Sequence, residues 1–407
     1  MSTSELNIIV VGAGIAGLGA AIVLSRAGHN VTIIEKSHFK EEVGFHIIMG
    51  WNATRVLGSL DFDFEKARGS DSECIGTFNG ATLEAGPSFS TTTPGADNSQ
   101  TRTFYRPDLH NELKRLALYP GPGKKVPKLM LGRKVISVCI DTASAILENS
   151  EIIAGDLIIG ADGERSIVKR CFGESNTLKK AKYRIFRTLV PTESILEDAE
   201  TRSMLDLTRR SFATFLEGNK TMFWFEGRDG LLQDLEAGYV PGEIEGPPET
   251  DPKRAKAKML EKFKDYHPKI VASLQKAERV SEWEINYFPR PPSRIFRGKA
   301  LLIGDAVHSM FPTTGQGGSQ TLEDIGALSL LFSTNSSTSL PSPYPLTSPA
   351  QMHQRPNLFS KIRKERMGLV MGMSGCVFGR EAEFVKKKPW LKTGIESGEE
   401  HTRILYG

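Results

Sequence analysis

The stretch LNIIVVGAGIAGLGAAIVLSRAGHNVTIIEK (6–36) decides how this 407-residue chain is read. Ile8 to Val11 is a short apolar run of β-branched residues, the pattern of a strand buried on both faces of a parallel sheet. Gly12, Gly14 and Gly17 follow at GxGxxG spacing. The first permits a tight turn, the second lets a pyrophosphate approach the backbone, and the third brings the next helix against the strand. That helix presents free N–H groups and the positive end of its dipole to phosphates. A second strand, VTIIE (31–35), ends in Glu35, 18 residues after Gly17. A carboxylate there accepts hydrogen bonds from both hydroxyls of an adenosine ribose and disfavours a 2′-phosphate. Strand, turn, helix, strand and acid in one register predict a dinucleotide-binding unit, without separating FAD from NAD.

Two later segments repeat the strand-to-acid design. DLIIGADGERSIVKRCF (156–172) reads as a buried strand that ends at Asp162 and Gly163 and turns into a helix. In KALLIGDAVHSMFPTTGQGGSQTLEDIGALSLLF (299–332), Asp305 closes a strand, and Pro312, Gly315, Gly317 and Gly318 form a loop before a helix. Open α/β sheets place ligands at the carboxyl ends of their strands, so these acids are expected to line one crevice. Asp305 suits the hydroxyls of a ribityl chain. A helix starting near Gly315 would aim its N–H groups at the flavin edge where charge accumulates on reduction.

With GAGIAG, GADGERS and GDAVHSMFPTTGQGGSQTLED in this order and at these separations, the chain resembles the single-component FAD-dependent aromatic hydroxylases. Within them it is similar to the salicylate hydroxylase-like branch, which includes fungal secondary-metabolism members. The resemblance runs from residue 6 to about 333 and again over KIRKERMGLVMGMSG (361–375). It implies that Gly12, Gly14 and Gly17 form the pyrophosphate turn and that Glu35 is the ribose acid. Arg106, in FYRPDLHNEL (104–113), matches an arginine that reaches FAD from a helix start. Pro107 suits that first turn, and Leu109, Leu113 and Leu116 form a buried stripe. Asp305 matches the acid facing the ribityl chain, and Gly318 a backbone contact to the isoalloxazine. Asp162 with Gly163 matches a motif implicated in FAD and NAD(P)H handling. Arg187, in FRTLVP, matches a catalytic-site arginine that would steady a phenolate or carboxylate. Phe45 and His46 depart from the family's preference for small residues; His46 is expected to bear on access to the flavin while still offering its backbone. His308 is expected to pack beside the flavin loop rather than act as a base. Ordinary roles compete at three positions: Asp162 also suits a helix cap, Arg106 a polar helix start, and Arg187 an exposed sheet position.

The activity implied is a FAD-dependent monooxygenase that uses NAD(P)H and O2 to hydroxylate an aromatic or phenolic small molecule, in secondary-metabolite biosynthesis. The cofactor carries the hard chemistry, so neither a metal nor a Ser-His-Asp triad is required. A flavin-dependent epoxidase of a prenylated substrate and a catalytically silent flavin-binding paralogue stay open as alternatives. The expected fold class is α/β: a Rossmann-like FAD-binding domain (1–72, 103–180 and 286–332), an inserted sheet-based substrate domain (73–102 and 181–285), a Ser/Pro-rich loop (333–356) and a helical C-terminal segment (357–407). In the inserted region the runs RIFRTLV (184–190), FATFLE (212–217) and TMFWFEG (221–227) read as strands. Their aromatics Phe215, Phe223, Trp224 and Phe225 are expected to serve either a substrate chamber or the sheet core.

Composition bounds the rest. Lys+Arg 52 against Asp+Glu 48 gives a net charge of +4, too even a balance to predict nucleic acid as a partner. Cys74, Cys139, Cys171 and Cys376 lie far apart with no CxxC, which speaks against a zinc site or a disulfide framework and for a reducing compartment. The apolar run 8–24 follows a leader with no positive charge and is short for a bilayer span of about 20 residues. A cytoplasmic chain with no membrane span is expected.

Overall fold

The computed structural model describes residues 5–39, 44–91, 99–173, 177–243, 245–333 and 354–377, and positions 382, 383 and 386. Six strands carry the glycine turn, in the order Phe296–Arg297, Ala300–Leu302, Leu157–Gly160, Asn7–Val11, Asn30–Ile34, Lys128–Met130. Neighbours run parallel, except that Phe296–Arg297 pairs antiparallel with Ala300–Leu302. The chain moves from Asn7–Val11 to one neighbour at once and reaches the other only at Leu157. The topological switch point therefore lies at the carboxyl end of the first strand, at Gly12. Ile8, Ile9, Val10 and Val11 are all buried, as a strand covered on both faces requires. Helix Ile15–Arg26 packs so closely on helix Gln316–Phe332 that a Cβ on Gly19 would lie 2.1 Å from Ile325 Cδ1. The second strand ends at Ile34, leaving Glu35 just beyond it.

A second sheet of seven strands draws on residues 74–90 and 179–287. Its order is Ser281–Tyr287, Lys179–Pro191, Leu232–Tyr239, Lys220–Gly227, Ser211–Glu217, Cys74–Asn79, Ala85–Ser90. Side-chain alternation divides its two faces. Phe186, Phe215, Trp224, Leu235 and Tyr239 bury against Ala255, Met259, Ile270 and Leu274 of helices Pro252–Lys262 and Pro268–Gln275. Arg187, Phe223, Phe225 and Glu236 point the other way, into a cavity. Phe223 and Phe225 thus serve the chamber, while Phe215 and Trp224 serve the core.

Helix Gln354–Met373 buries Phe359, Arg363, Met367 and Val370. Residues 334–353, most of the Ser/Pro-rich segment, lie outside the described residues, as does most of the chain after 377. Among the described residues no helix is long and apolar enough to cross a membrane, and no cluster of His, Cys, Asp and Glu could hold a metal ion.

Candidate active site

The three glycines of the first turn are needed for different reasons. Gly12 has φ +98°, and a Cβ there would meet Ala161 O at 2.5 Å. A Cβ on Gly17 would lie 1.9 Å from Gly12 O. At Gly14 nothing stands within 4 Å of where a Cβ would be, so the backbone faces open space. Two positions are glycine because the fold is tight, while the third leaves its backbone open to a ligand. Glu35 sits beside the turn, its Oε2 accepting from Ala13 N and its Oε1 from Ser37 N, both at 2.8 Å. Each carboxylate oxygen keeps further acceptor capacity.

Helix Arg106–Leu118 reaches the turn through His110, whose Nε2 lies 2.7 Å from Ala13 O. Pro107 stands in its first turn, and Leu109, Leu113 and Leu116 are buried. Asp108 accepts from Arg228 Nε at 2.7 Å and from its Nη2 at 3.1 Å, which ties the helix to the seven-stranded sheet. Arg106 is exposed on the cavity wall, and its guanidinium has no partner among the described residues.

Asp305 follows Gly304, which has φ +60° and whose Cβ would meet Ala16 Cβ at 2.8 Å, so this turn also abuts the glycine-turn helix. The Asp305 carboxylate is exposed into the cavity, again without a partner among the described residues. Behind it lies a buried charged network. Asp324 Oδ2 accepts from Gly304 N at 2.9 Å and lies 2.9 Å from His308 Nε2, while Arg363 Nε donates to Asp324 Oδ1 at 2.7 Å. Arg363 also pairs with Glu323 and donates to Gln320 O at 3.0 Å. Burial alone would raise the Asp324 carboxyl, but Arg363 and His308 hold it below the usual range. His308 is therefore fixed behind the Asp305 turn, fully buried. Asp324 and Arg363 were not singled out from the sequence. The signal for Asp324 was an acid set between Leu322, Ile325 and Leu328, all buried on that helix.

The cavity between the sheets measures about 620 Å³ and brings together Arg106, Asp305, Gly318, His46 and Arg187. Gly12, Gly14, Gly17, Glu35 and Asp162 lie outside its lining, joined to it through Ala13–His110 and Ala16–Gly304. Arg187 faces Glu236 on the neighbouring strand, Nε to Oε1 2.9 Å, and its guanidinium stands 5.8 Å from the Phe45 ring centre. It is a cavity residue, not an exposed sheet position. Burial above all, opposed by Arg187 and helped by Asp234, raises the Glu236 carboxyl to about 7. His46 is committed elsewhere: its backbone N donates to Asp234 Oδ2 at 2.8 Å and its ring Nδ1 lies 3.1 Å from the same oxygen. Asp162 Oδ2 accepts from Ile167 N at 2.7 Å and Val168 N at 3.3 Å, the geometry of a helix cap. Its Oδ1 is buried without a hydrogen-bond partner among the described residues, and burial raises its carboxyl.

These features fit FAD. The open face at Gly14 admits a pyrophosphate, and the lone charges of Arg106 and Asp305 suit a ligand carrying phosphates and hydroxyls. Gln316, at the start of helix Gln316–Phe332, buries both amide atoms without a partner among the described residues. Such groups each cost about 1–3 kcal/mol unless something completes them.

Comparison with known proteins agrees. A family described as FAD binding domain matches residues 142–334, and one described as FAD dependent oxidoreductase matches residues 7–45. The chain is 29% identical over 384 residues to hispidin-3-hydroxylase of Neonothopanus nambi, covering 91% of this chain and 88% of that one. It is 27% identical over 343 residues to 3-amino-4-hydroxybenzoate 2-monooxygenase of Streptomyces cremeus, covering 81% and 79%. The fold superposes on Klebsiella pneumoniae HpxO complexed with FAD and uric acid with a TM-score of 0.75 at 20% identity, covering 99% of this chain and 97% of that one.

Proposed function

We propose that this chain, a FAD-dependent monooxygenase that belongs to the aromatic hydroxylase family, inserts one atom of O2 into a phenolic or otherwise electron-rich aromatic small molecule, with NAD(P)H as reductant. The setting proposed is secondary-metabolite biosynthesis, in keeping with similarity to a fungal hydroxylase named for hispidin. One observation carries this reading. A single cavity has Arg106, Asp305 and Gly318 on one wall and aromatic rings with one ion pair on the other.

FAD, when bound, supplies hydride acceptance and the activation of O2. The protein's part is to hold, orient and dry. In this reading Gly12, Gly14 and Gly17 receive the pyrophosphate, Glu35 the adenosine ribose and Asp305 the ribityl hydroxyls. Arg106 adds charge from its helix start, Gly318 gives a backbone contact to the ring system, and Asp162 stands at the edge where NAD(P)H is handled. On the far wall Phe212 lies 5.4 Å from Phe223 and 5.0 Å from Phe225, ring centre to ring centre, which offers flat apolar faces to a planar substrate. Excluding water there strengthens every charge in the cavity, Arg187 above all.

The test uses purified yellow protein mixed anaerobically with NADH or NADPH across a panel of phenols, followed by air and mass analysis. Flavin bleaching that quickens with a phenol, and a product heavier by one oxygen atom, support the reading. Yellow protein that neither nucleotide bleaches would sink it, as would colourless protein that binds NAD alone.

A further inference from the structure

A cation reserved for a carboxylate substrate should stand free, and Arg187 does not. Glu236 lies directly opposite it across the strand pair, with 2.9 Å between Nε and Oε1. On Glu236's other side the paired residue is Phe223. The charged or titratable groups on this face are Arg187, Asp234 two residues along the same strand, and His46, held to Asp234 from the strand His46–Met49. The strand Ser281–Tyr287 borders the cavity with Glu282 and Glu284, each already paired; Glu284 Oε2 lies 2.7 Å from Lys180 Nζ. Glu282 there turns its carboxylate to the opposite face, where Lys258 and Tyr239 bond it. A substrate carboxylate at Arg187 would therefore arrive as a third anion beside Glu236 and Asp234, since the other cations of the cavity stand apart from this pair: Arg106 at its helix start and Arg165 beside Glu164. A neutral hydroxyl arrives with a proton to give.

We propose that Glu236 accepts the proton of the substrate's phenolic or enolic hydroxyl while Arg187 pairs with the resulting oxyanion, so that the cavity selects un-ionised hydroxylated aromatics over aromatic carboxylates. This rests on the hydroxylase reading of the same cavity. The substrate's O–H bond breaks, an O–H bond forms on Glu236, and no electrons are gained or lost. The pair of Arg187 with Glu236 becomes a pair of Arg187 with the oxyanion beside a neutral acid, so the net charge of the wall is constant. The oxyanion enriches the ring carbons that are to be oxygenated. Burial tunes the group for this task, because it lifts the Glu236 carboxyl to about 7, near working pH, where a general base is most effective.

The experiment takes flavin-loaded protein and matched probes: phenol with 4-hydroxybenzoate, and resorcinol with 2,4-dihydroxybenzoate. Binding is measured by calorimetry in two buffers of different ionisation enthalpy, and hydroxylation separately. Each neutral probe should bind at least about tenfold tighter than its carboxylated partner. In Glu236→Gln with flavin retained, carboxylate binding should improve because Arg187 is released. Phenol hydroxylation should fall roughly 100-fold and lose the limb of its pH profile set by a carboxyl group. Glu236→Asp should restore part of the rate. Parent protein that prefers carboxylates, or binds neither series, overturns the proposal, as does Glu236→Gln working at the parent rate with an unchanged pH profile. The parent's selectivity needs no variant, so a misfolded variant leaves the test intact. Correct selectivity without any oxygenated product would sink the hydroxylase reading and spare the Glu236 assignment; product formed best from carboxylates would do the reverse.

Discussion

Replacing Gly14 and Gly17 by alanine, one at a time, separates the two reasons for glycine in the first turn. Gly14 has φ −72° and ψ −170°, a conformation open to every L residue, and its Cβ would enter empty space. Without flavin, Gly14→Ala should cost about 1 kcal/mol or less, the scale of a helix-cap change. At Gly17 the added carbon would sit 1.9 Å from Gly12 O and 2.9 Å from its carbonyl carbon. Both are backbone atoms pinned between strand and helix, so relief requires the helix to shift. Overpacking of this kind costs about 3 kcal/mol, a large part of a typical folding margin of about 5–15 kcal/mol. The order should reverse for the cofactor. On the proposed reading a methyl at Gly14 would stand where the pyrophosphate meets the backbone, and losing one or two charge-assisted hydrogen bonds at roughly 1.5–3 kcal/mol each should weaken FAD binding by about tenfold to a thousandfold or more. The assay strips the flavin, follows thermal unfolding of the bare proteins, then titrates FAD by quenching of its fluorescence. Gly14→Ala that binds FAD as tightly as the parent would refute the reasoning, and so would equal destabilisation of the two bare variants.

Asp305→Ala should lose FAD on gel filtration while keeping the fold, since the carboxylate is exposed and bonded to no described residue; full flavin retention would count against the assigned contact. Arg363→Met leaves Asp324 buried and short of its main counter-charge, and should cost about 3–5 kcal/mol, partly recovered by adding Asp324→Asn. A single variant that melts with the parent would refute that. Because Asp324 is held below its unfolded value, this stabilisation is present above about pH 4 and lost as pH falls through the folded pKa, so the double variant should show a shallower acid limb. Lys169 is buried with its Nζ 3.2 Å from the Phe288 ring centre, and burial pushes the amine down to about 8. Its folded value lies below the unfolded one of about 10.4, so the penalty is full below about pH 8 and fades as pH rises beyond it. Lys169→Met should therefore raise the melting temperature at pH 7 by more than at pH 10, and an equal difference at both would show that the ring offsets the burial.

The parallel half of the fold was legible because its signals are local. An apolar run, three glycines and a strand-end acid all fall within residues 8–35, and the later strand-turn segments carry the same grammar. The second sheet was legible only as a set of strands. Its order depends on pairings such as Ser211–Glu217 with Cys74–Asn79, more than a hundred residues apart, for which no local pattern exists. Element ends were blurred for the usual physical reason. Residues 253–267 are basic and helix-compatible throughout, yet the helix runs Pro252–Lys262, started by Asp251 accepting from Arg254 N at 2.9 Å. It stops where Phe263 and Tyr266 turn into the core.

The same contrast governs the site. A dinucleotide is gripped by backbone, so its residues are glycines and acids at strand ends, whose spacing is written in the chain. The substrate wall is gripped by side chains that meet across strands. Arg187 and Glu236 are each unexceptional strand residues, and they become a pair only through the register that sets Arg184 against Tyr239 and Pro191 against Leu232. A slip of one residue would turn Phe186 or Leu235 into the cavity and the charges into the helix-side core. Position 187 was marked by resemblance, but its meaning changed once its neighbour was known: a lone arginine invites a carboxylate, whereas an arginine facing a buried glutamate invites a hydroxyl. On the proposed reading, specificity on this wall lies in cross-strand pairs, and changing two facing positions should redirect substrate choice while leaving Gly14, Arg106 and Asp305, and so the proposed grip on FAD, untouched.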